Sequence, residues 1–327
     1  MILAIIGATG LVGSEIIKVL EEKNIKEISE IIFVASKKNI GKKIKYKNKS
    51  KKIISIKEAI KKSPNYALFS AGSKVSINYA KEFNKKQTIV IDNSSAFRMK
   101  TKIKLIIPEI NGNDLTKKDK IIANPNCSTI QLVMAVGNIH KKIGIKRMVV
   151  STYQAVTGTG YSAVNQLKKE EKNIKTKKSV YEKKIHRNII PKCDVFTKTG
   201  YTKEEDKIIN ETNKILNSNI KITATAVRVP TLGGHGESVN IELSKKTSKQ
   251  QLIKIIKKQK GVVVDVNKKY KTPHEIISTN EVYVSRIRED NSQKNSFNIW
   301  VVADPLRKGA ATNAVQILEK LININKD

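Results

Sequence analysis

Three observations predict a two-domain α/β fold. The chain has 327 residues, about twice the length of a typical domain. In its first third, short apolar runs alternate with segments of helical spacing, a pattern typical of a parallel sheet covered by helices. From Arg147 onward the strand-like runs become longer and lysine-rich helical stretches separate them. This change favours a second, α+β domain with a mostly antiparallel sheet.

The first element is predicted to be a buried strand followed by a glycine-rich turn. Ile2–Ile6 is uniformly apolar, Gly7–Gly13 has the spacing GxxGxxG, and Ser14–Lys23 has helical spacing. A helix that begins after such a turn offers free N–H groups and a positive dipole end to a pyrophosphate. The segment therefore predicts a Rossmann-type dinucleotide-binding domain, with a tight turn that binds no ligand as the alternative.

The segment after the second predicted strand discriminates between NAD and NADP. An acidic residue there would bind a ribose 2′-hydroxyl and indicate NAD. The strand Ile31–Ala35 is followed instead by Ser36, Lys37 and Lys38, and the next acidic residue is Glu58. Because a hydroxyl and two ammonium groups suit a 2′-phosphate, we predict NADP(H) as the cofactor.

The remaining elements follow from the same patterns. Tyr66–Ser70 and Thr88–Ile91 predict further strands of the first sheet, and Gly309–Ile324 predicts a last helix. The lysine-rich segment Lys168–Lys184 is interpreted as a solvated helix or loop. The strands predicted for the second domain are Met148–Ala155, Ile220–Val229, Ser238–Leu243, Glu281–Ile287 and Asn298–Ala303.

Cys127 lies in a polar segment directly before a helical run. The sequence NPNCST (124–129) precedes the apolar segment Ile130–Val136. A helix amino terminus favours the thiolate and lowers the thiol pKa, and the N–H groups of that turn can form an oxyanion hole. Cys127 is therefore a candidate nucleophile, with a buried structural thiol as the alternative. Cys193 has no such context and is interpreted as structural.

His235 is the candidate base, since a thiol nucleophile usually requires one. It follows a strand, and its glycine neighbours allow backbone and substrate to approach closely. The other three histidines, His140, His186 and His274, lie among lysines or on helix-like or loop stretches, where a solvated side chain is the simpler interpretation. Spacing alone leaves both a catalytic and a non-catalytic His235 open.

Composition excludes several classes of protein. Hydrophobic residues make up 39% of the chain, and their regular periodicity argues against disorder. The uncharged apolar stretches are strand-sized and too short to span a membrane. Met1–Ile6 lacks a basic n-region and therefore predicts a first strand rather than a signal peptide. With two cysteines the chain has neither a disulfide framework nor a CxxC metal knuckle, so we expect no metal and a cytoplasmic location.

The formal net charge of +34 has two interpretations. It could indicate a nucleic-acid or membrane partner. Lysine dominates, however, and is scattered along the chain together with abundant isoleucine and asparagine, whereas a nucleic-acid surface favours clustered arginine and aromatic residues. We therefore expect a biased composition that attracts anionic substrates, with neither nucleic acid nor membrane as the primary partner.

Several motifs, in order along nearly the whole chain, resemble the aspartate-semialdehyde dehydrogenase family. No single motif is as specific as the series. The motifs are GATGLVG (7–13), SAGS (70–73), DNSSAFR (92–98), PEIN (108–111), NPNCST (124–129), STYQAVTG (151–158), Arg228 with His235, and KGAATNAVQ (308–316).

The resemblance implies a specific chemistry. Cys127 would attack the aldehyde of L-aspartate 4-semialdehyde, hydride would pass to NADP⁺, and phosphate would cleave the thioester to give 4-aspartyl phosphate. The biosynthetic direction is the reverse, towards lysine, threonine and methionine. The nearest rivals are an N-acetylglutamyl-phosphate reductase and a glyceraldehyde-phosphate dehydrogenase, which we expect to differ beside the cysteine.

The resemblance also implies roles for individual residues. His235 would be the general acid/base, Gln154 would orient the substrate, and Asn126 would help to shape the pocket. Arg228 suits the substrate carboxylate. Glu204 is assigned to the substrate, and Lys207 and Arg98 to phosphate. Glu204 and Lys207 lie three residues apart on a predicted helix, and for these two residues and Lys37 a solvated face is the alternative. The residues assigned to the cofactor are Gly7, Thr9, Gly10, Leu11, Val12, Gly13, Ser36, Lys37, Ser70, Gly72, Thr157, Gly158 and Gln316.

The predicted domain boundaries and assembly follow from the same resemblance. Residues 1–126 with 304–327 would form the NADP-binding domain, and residues 127–303 the catalytic and dimerisation domain. A homodimer or homotetramer is expected. Two positions depart from the family pattern, because Gly236 replaces the usual serine and Lys37 the usual arginine.

Overall fold

The computed structural model describes residues 1–175 and 179–326. The chain forms two compact units. The first unit contains Met1–Pro125 and the segment from Ala310 onward, and the second unit is Asn126–Gly309. The predicted fold class is confirmed, since the first unit has a parallel sheet with helices and the second a mixed sheet with helices.

A six-stranded parallel sheet forms the centre of the first unit. Its strands are almost uniformly buried apolar runs, as expected for a sheet covered on both faces. In spatial order, and numbered along the chain, they are β2 (Glu30–Val34), β1 (Ile2–Ile6), β5 (Tyr66–Phe69), β6 (Ile89–Asp92), β8 (Ile121–Ala123) and β7 (Lys104–Leu105). A separate antiparallel pair contains β3 (Lys43–Tyr46) and β4 (Lys49–Lys52).

The helices of the first unit include one from the far end of the sequence. They are α1 (Leu11–Lys23), α2 (Ile56–Lys61), α3 (Ser73–Lys85), α4 (Pro108–Asn111) and α9 (Thr312–Lys326). Leu318 and Leu321 of α9 are fully buried in the same core as Ile16 and Leu20 of α1. The last helix therefore completes the core of the first unit.

A six-stranded mixed sheet forms the second unit. In spatial order its strands are β10 (Lys221–Val229), β9 (Ile145–Ala155), β11 (His235–Leu243), β14 (Ser296–Ala303), β13 (Val282–Glu289) and β12 (Val262–Val264). The outer pairs β10–β9 and β12–β13 are parallel, and the three inner pairs are antiparallel.

The two faces of this sheet differ. The helices of the unit are α5 (Cys127–Ile143), α6 (Tyr161–Glu171), α7 (Lys203–Leu216) and α8 (Lys249–Lys257). Helix α5 packs against β9, β11, β13 and β14, and also contacts α7 and α8. Tyr153 on β9 and Trp300 on β14 line a cavity of 420 Å³, and their ring centroids are 5.8 Å apart.

The lysine-rich segment Lys168–Lys184 begins within helix α6. Within Lys168–Lys184, α6 ends at Glu171 and residues 176–178 lie outside the described part of the chain. Across residues 1–175 and 179–326, no helix has both the length and the apolar character needed to cross a bilayer.

Candidate active site

Cys127 is the first residue of α5, as the sequence predicts. Asn126 caps the helix, since its side-chain oxygen accepts hydrogen bonds from the N–H groups of Ser128 at 3.0 Å and Thr129 at 3.2 Å. Cys127 is partly exposed, whereas both residues after it are buried. The thiol therefore lies at the positive end of a helix of 17 residues.

The capping bonds limit which N–H groups of this turn are available to an oxyanion. The sequence predicts an oxyanion hole from the N–H groups of the turn, and two of these groups, those of Ser128 and Thr129, donate to Asn126. The predicted oxyanion hole would therefore use other N–H groups of the turn, and it stays a prediction.

Two carboxylates of α7 hold Asn126 in place. Its backbone N–H donates to Glu211 at 2.7 Å, and its side-chain amide donates to Glu204 at 2.8 Å. Sequence reasoning missed Glu211. Glu211 is seven residues from Glu204, so both side chains lie on one face of α7. This spacing was the available signal in the sequence.

Glu204 and Lys207 form a partly buried ion pair rather than a solvated surface. Lys207 donates to Glu204 at 3.0 Å and to Asp194 at 2.8 Å, and Glu204 is 7% exposed. Burial raises the pKa of Glu204, but the charge of Lys207 and the bonds from Asn126 and Lys207 outweigh it and lower the pKa to about 2. For Lys207, burial lowers the pKa, and the two carboxylates outweigh it and raise the pKa. Glu204 therefore carries its charge at neutral pH.

Gln154 connects this ion pair to the first turn of α5. It lies near the end of β9, where its amide donates to Ser128 Oγ at 2.9 Å and to Glu204 at 3.3 Å. The side chain is buried. Asn126, Gln154 and Glu204 therefore form one hydrogen-bonded network around the turn that carries Cys127.

His235 begins β11 and is fully buried. Its Nδ1 accepts a hydrogen bond from the Ala155 N–H at 3.1 Å, which selects the neutral tautomer with the proton on Nε2. Among the described residues, Nε2 has no hydrogen-bond partner. Burial, reinforced by the positive charge of Arg228, lowers the pKa of His235 to about 3. The imidazole is therefore neutral and presents an unused N–H.

Arg228 is buried on β10, directly beside Gln154 in the parallel register. Its Nη1 donates to the Ala155 carbonyl at 2.7 Å, and its Nε has no partner among the described residues. Gly158, assigned to the cofactor by resemblance, lies against the neutral imidazole of His235 and the guanidinium of Arg228: a Cβ atom there would be 2.8 Å from His235 Nε2 and 3.4 Å from Arg228 Nη1. A side chain at this position would therefore fill the space in front of the imidazole.

Gly309 is a further residue that sequence reasoning missed. A Cβ atom there would lie 2.9 Å from the Cβ of Cys127. The glycine therefore allows its backbone to approach the thiol residue. Its place in the motif KGAATNAVQ was the available signal.

The glycine turn of the first unit fits a dinucleotide. Gly7 has φ +93°, and a Cβ atom at Gly13 would lie 2.1 Å from the Gly7 carbonyl oxygen. The first turn of α1, which includes Leu11 and Val12, has neither an acidic residue nor a side-chain cap on Gly10. Its N–H groups therefore remain suited to a pyrophosphate.

The loop after β2 lies beside this turn. Asn39 donates to the Thr9 hydroxyl at 3.2 Å, and Ser36 directly precedes the short helical turn Lys37–Asn39. Lys37 is exposed. The loop that contains Ser36 and Lys37 therefore contacts the glycine turn through Asn39.

The other predicted residues of the first unit have structural partners. Ser70 donates to the Ile6 carbonyl at 3.1 Å, and Gln316 donates to Glu109 at 2.8 Å. Arg98 is buried and donates to the carbonyls of Asn124 and Asn93 at 2.9 and 2.8 Å. Gly72 has φ +85° before α3.

In the second unit, Thr157 donates to the Gly233 carbonyl at 3.4 Å. Thr157 is buried, while Gly158 beside it is exposed.

The seven catalytic and substrate candidates of this unit belong to one part of the fold, at α5, α7 and the adjoining ends of β9, β10 and β11. They are Asn126, Cys127, Gln154, Glu204, Lys207, Arg228 and His235.

Comparison with known proteins matches both units. The family described as "Semialdehyde dehydrogenase, NAD binding domain" matches residues 2–118, and that described as "Semialdehyde dehydrogenase, dimerisation domain" matches residues 136–308. Aspartate-semialdehyde dehydrogenase of Aquifex aeolicus is 45% identical, over 98% of this chain and 97% of the relative. The Bacillus subtilis enzyme is 41% identical with the same coverage.

The chain belongs to the aspartate-semialdehyde dehydrogenase family.

Solved structures agree with this assignment. A Vibrio cholerae aspartate semialdehyde dehydrogenase II, described as complexed with ASA, has a TM-score of 0.94 and 36% identity, with 98% of each chain covered. Members of the aspartate-semialdehyde dehydrogenase family are oxidoreductases of amino-acid biosynthesis. This member carries a nicotinamide-dinucleotide-binding domain and a dimerisation domain.

The departure of Gly236 from the family pattern has a physical reason. A Cβ atom at Gly236 would lie 2.4 Å from the ring of Trp300 on the neighbouring strand. The indole therefore occupies the space that a serine side chain needs. In this member of the aspartate-semialdehyde dehydrogenase family, Gly236 and Trp300 are compatible as a pair.

Proposed function

We propose that the chain is a phosphorylating, NADP-dependent aspartate-semialdehyde dehydrogenase. It interconverts L-aspartate 4-semialdehyde, phosphate and NADP⁺ with 4-aspartyl phosphate and NADPH, on the route to lysine, threonine and methionine. One observation carries the proposal: the second unit holds a thiol at a helix amino terminus, together with a neutral buried imidazole and a buried arginine that are both hydrogen-bonded to Ala155. The ASA complex of the Vibrio cholerae relative supports the substrate.

The charges of the site suit a small amino acid. The buried guanidinium of Arg228 has an unused Nε–H that can bind the substrate carboxylate. Glu204, with its lowered pKa, is the ionised group available to the substrate ammonium. Gln154, fixed by Ser128 and Glu204, orients the aldehyde. Binding therefore fixes both ends of the substrate before the thiol reacts.

Cys127 and His235 perform the addition step. The thiolate forms a C–S bond to the aldehyde carbon, and the electron pair of the C=O bond moves to the oxygen. The Nε2–H of His235 donates to this oxygen, so the proton moves towards it as charge develops and returns when hydride leaves. When bound at the glycine turn, NADP⁺ supplies the hydride acceptor.

Phosphate completes the reaction at the thioester. A phosphate oxygen attacks the thioester carbon, the C–S bond breaks, and the electron pair returns to Cys127 as the thiolate. Lys207, whose pKa is raised by its two carboxylate neighbours, is the cation proposed for phosphate in this unit. Arg98 of the first unit remains a predicted phosphate residue.

The choice of NADP over NAD rests on the loop after β2. Ser36 and the exposed Lys37 belong to the loop that contacts the glycine turn through Asn39, and no acidic residue follows the strand before Glu58. We expect NADP⁺ to be preferred over NAD⁺, and Lys37→Ala to weaken that preference. Equal use of both cofactors by the wild type would contradict the proposal.

Assembly and compartment are part of the same proposal. We propose a homodimer or homotetramer formed through the second unit, which matches a dimerisation domain and exposes Tyr153 and Tyr270 beside Trp300. Sedimentation of the full chain tests this, and a monomer at micromolar concentration would contradict it. A thiol nucleophile that must stay reduced suits the cytoplasm.

The decisive experiment measures NADP⁺ reduction by aspartate semialdehyde, with and without phosphate. We expect NADPH formation that depends on phosphate, is lost in Cys127→Ala and is retained in Cys193→Ala. The Cys193 thiol is a matched control, because burial raises its pKa to about 12. Activity with N-acetylglutamate semialdehyde alone would assign the chain to the rival reductase instead.

A further inference from the structure

A second set of buried polar side chains lies on the same three elements as Cys127, Gln154 and His235. Gln131 lies one helical turn after Cys127 on α5. Thr152 lies two residues before Gln154 on β9, and Glu237 lies two residues after His235 on β11. Residues four apart on a helix and two apart on a strand share a face. Each element that carries Cys127, Gln154 or His235 therefore also contributes one member to this polar layer (Gln131, Thr152 and Glu237).

The members of the polar layer are neighbours. Glu237 lies directly opposite Thr152 in the antiparallel register of β11 and β9, so their Cβ atoms are about 4.5–5.5 Å apart. Helix α5 packs against both strands. Glu237 and Thr152 are 0% exposed and Gln131 is 1% exposed. Water therefore does not reach these groups from the surface.

The polar atoms of the layer lack firm partners within the described chain. Both carboxyl oxygens of Glu237, the amide nitrogen of Gln131 and the hydroxyl of Thr152 have no hydrogen bond of standard geometry. Burial raises the pKa of Glu237 well above its usual value, and the Gln131 amide only partly offsets this. No charged side chain contributes to that shift among the described residues. An uncharged acid has one donor and one acceptor, which matches an amide and a hydroxyl.

We propose that Glu237 is a positioning residue that, as an uncharged acid, links α5 to β9 and β11 and so fixes the spacing of Cys127, Gln154 and His235. Arg228 on β10 and Glu204 on α7 lie outside the polar layer. Loss of the layer therefore affects the reacting groups more than the groups proposed to bind the substrate. Its effect on turnover rests on the proposed function.

Two variants of Glu237 and one control test this role. Glu237→Gln keeps a donor and an acceptor without a charge, and Glu237→Leu removes both at similar volume. Ser285→Ala is the matched control, because Ser285 also has a buried hydroxyl without a partner in the described sheet but lies outside the layer. The measurements are kcat and KM with aspartate semialdehyde, the melting temperature, and the alkylation rate of Cys127 by iodoacetamide.

We expect Glu237→Leu to lower kcat about tenfold or more, because small displacements of reacting groups are costly, with KM changed less than about threefold. Its Cys127 alkylation rate should change about threefold or more, since thiol reactivity follows the local environment. Glu237→Gln and Ser285→Ala should keep both near wild type. Alkylation is corrected with Cys127→Ala and needs no substrate, so it reports on Glu237 even if the wild type does not turn over aspartate semialdehyde.

The opposite results overturn the proposal. A folded Glu237→Leu with wild-type kcat and alkylation, whatever its melting temperature, would leave Glu237 a merely structural residue. A Glu237→Gln that loses as much activity as Glu237→Leu would mean that a negative charge is required. If Glu237→Leu does not fold, infrared difference spectra of wild type against Glu237→Gln decide, because the absence of a protonated carboxylic acid band contradicts the uncharged form.

Discussion

At the scale of single residues, His235 depends on its surroundings more than on its own chemistry. The bond from the Ala155 N–H fixes its tautomer, and burial with the nearby Arg228 charge lowers its pKa to about 3. Such an imidazole does not compete with substrate for a proton at neutral pH. It holds one proton, at Nε2, for the reacting oxygen.

Replacing His235 tests this role. His235→Asn keeps an N–H donor but cannot exchange a proton, so we expect turnover to fall about 10²–10⁴-fold. The measurement is kcat with aspartate semialdehyde and phosphate. The exposed His274 provides the control, and His274→Asn should leave kcat unchanged. A loss of less than tenfold in His235→Asn would assign the proton to another group.

Arg228 tests the recognition of the substrate carboxylate. Arg228→Lys keeps the charge but loses the planar pair of donors. A charge-assisted hydrogen bond contributes about 1.5–3 kcal/mol, so we expect KM to rise about tenfold or more. The control is the same substitution, to lysine, at Arg286, which lies on β13 outside the site. Unchanged kinetics in Arg228→Lys would remove Arg228 from the substrate site.

The sequence predicts some residues of the site better than others. Cys127 and its helix position follow from a local motif, because a cap and an apolar run are neighbours along the chain. Glu211 and Gly309 act through contacts with Asn126 and Cys127 that are distant in sequence, and no local pattern predicts such contacts. The use of the Ser128 and Thr129 N–H groups by the cap likewise needs side-chain geometry.

At the scale of elements, the turn between β1 and α1 needs glycine at one position much more than at another. A Cβ atom at Gly13 would lie 2.1 Å from the Gly7 carbonyl oxygen, while one at Gly10 would lie 3.4 Å from the same atom. The backbone carbonyl of Gly7 cannot shift to relieve such a clash, whereas the end of a flexible side chain can. The two positions are therefore a matched pair.

We expect Gly13→Ala to destabilise the fold and Gly10→Ala to be tolerated. Overpacking of this kind costs about 1–3 kcal/mol, whereas a substitution without a clash changes stability by about 0.5 kcal/mol or less. Urea denaturation measures the free energy of unfolding of each variant. Equal stability of the two would mean that the turn is looser than its geometry indicates.

Most strand positions and the class of each sheet were predictable, but the order of the strands was not. Apolar runs locate nine strands within a few residues, because burial on a sheet requires a period of two or a continuous apolar run. The short strands β3, β4, β7, β8 and β12 were not predicted. The parallel pairing of β10 with β9, at the edge of an otherwise antiparallel region, depends on the path of the chain through α6 and α7. Strand periodicity contains no information about that path.

At the scale of the whole molecule, buried titratable groups connect stability to pH. The pKa of His235 is lowered from 6.5 to about 3 and that of Glu204 from 4.5 to about 2. In both windows the unfolded chain binds more protons than the folded chain. Their contribution to stability is therefore present above pH 6.5 and 4.5, respectively, and is lost as the pH falls through each window.

We expect His235→Asn to flatten the loss of stability between pH 6.5 and 4.5. In this interval His235 is protonated in the unfolded chain and neutral in the folded one. The free energy of unfolding, measured in urea at a series of pH values, should fall less steeply in the variant than in the wild type. Parallel curves would show that His235 is not neutral in the fold.

The division of the first unit into two stretches of sequence affects how the protein is made. A ribosome delivers Met1–Pro125 and then all of Asn126–Gly309 before the residues of α9 emerge. Until then the core around Ile16 and Leu20 lacks Leu318 and Leu321. The nascent chain therefore completes its second unit first, while the apolar surface of the first waits for the last helix. A premature stop codon before α9 would leave that surface exposed to chaperones and proteases.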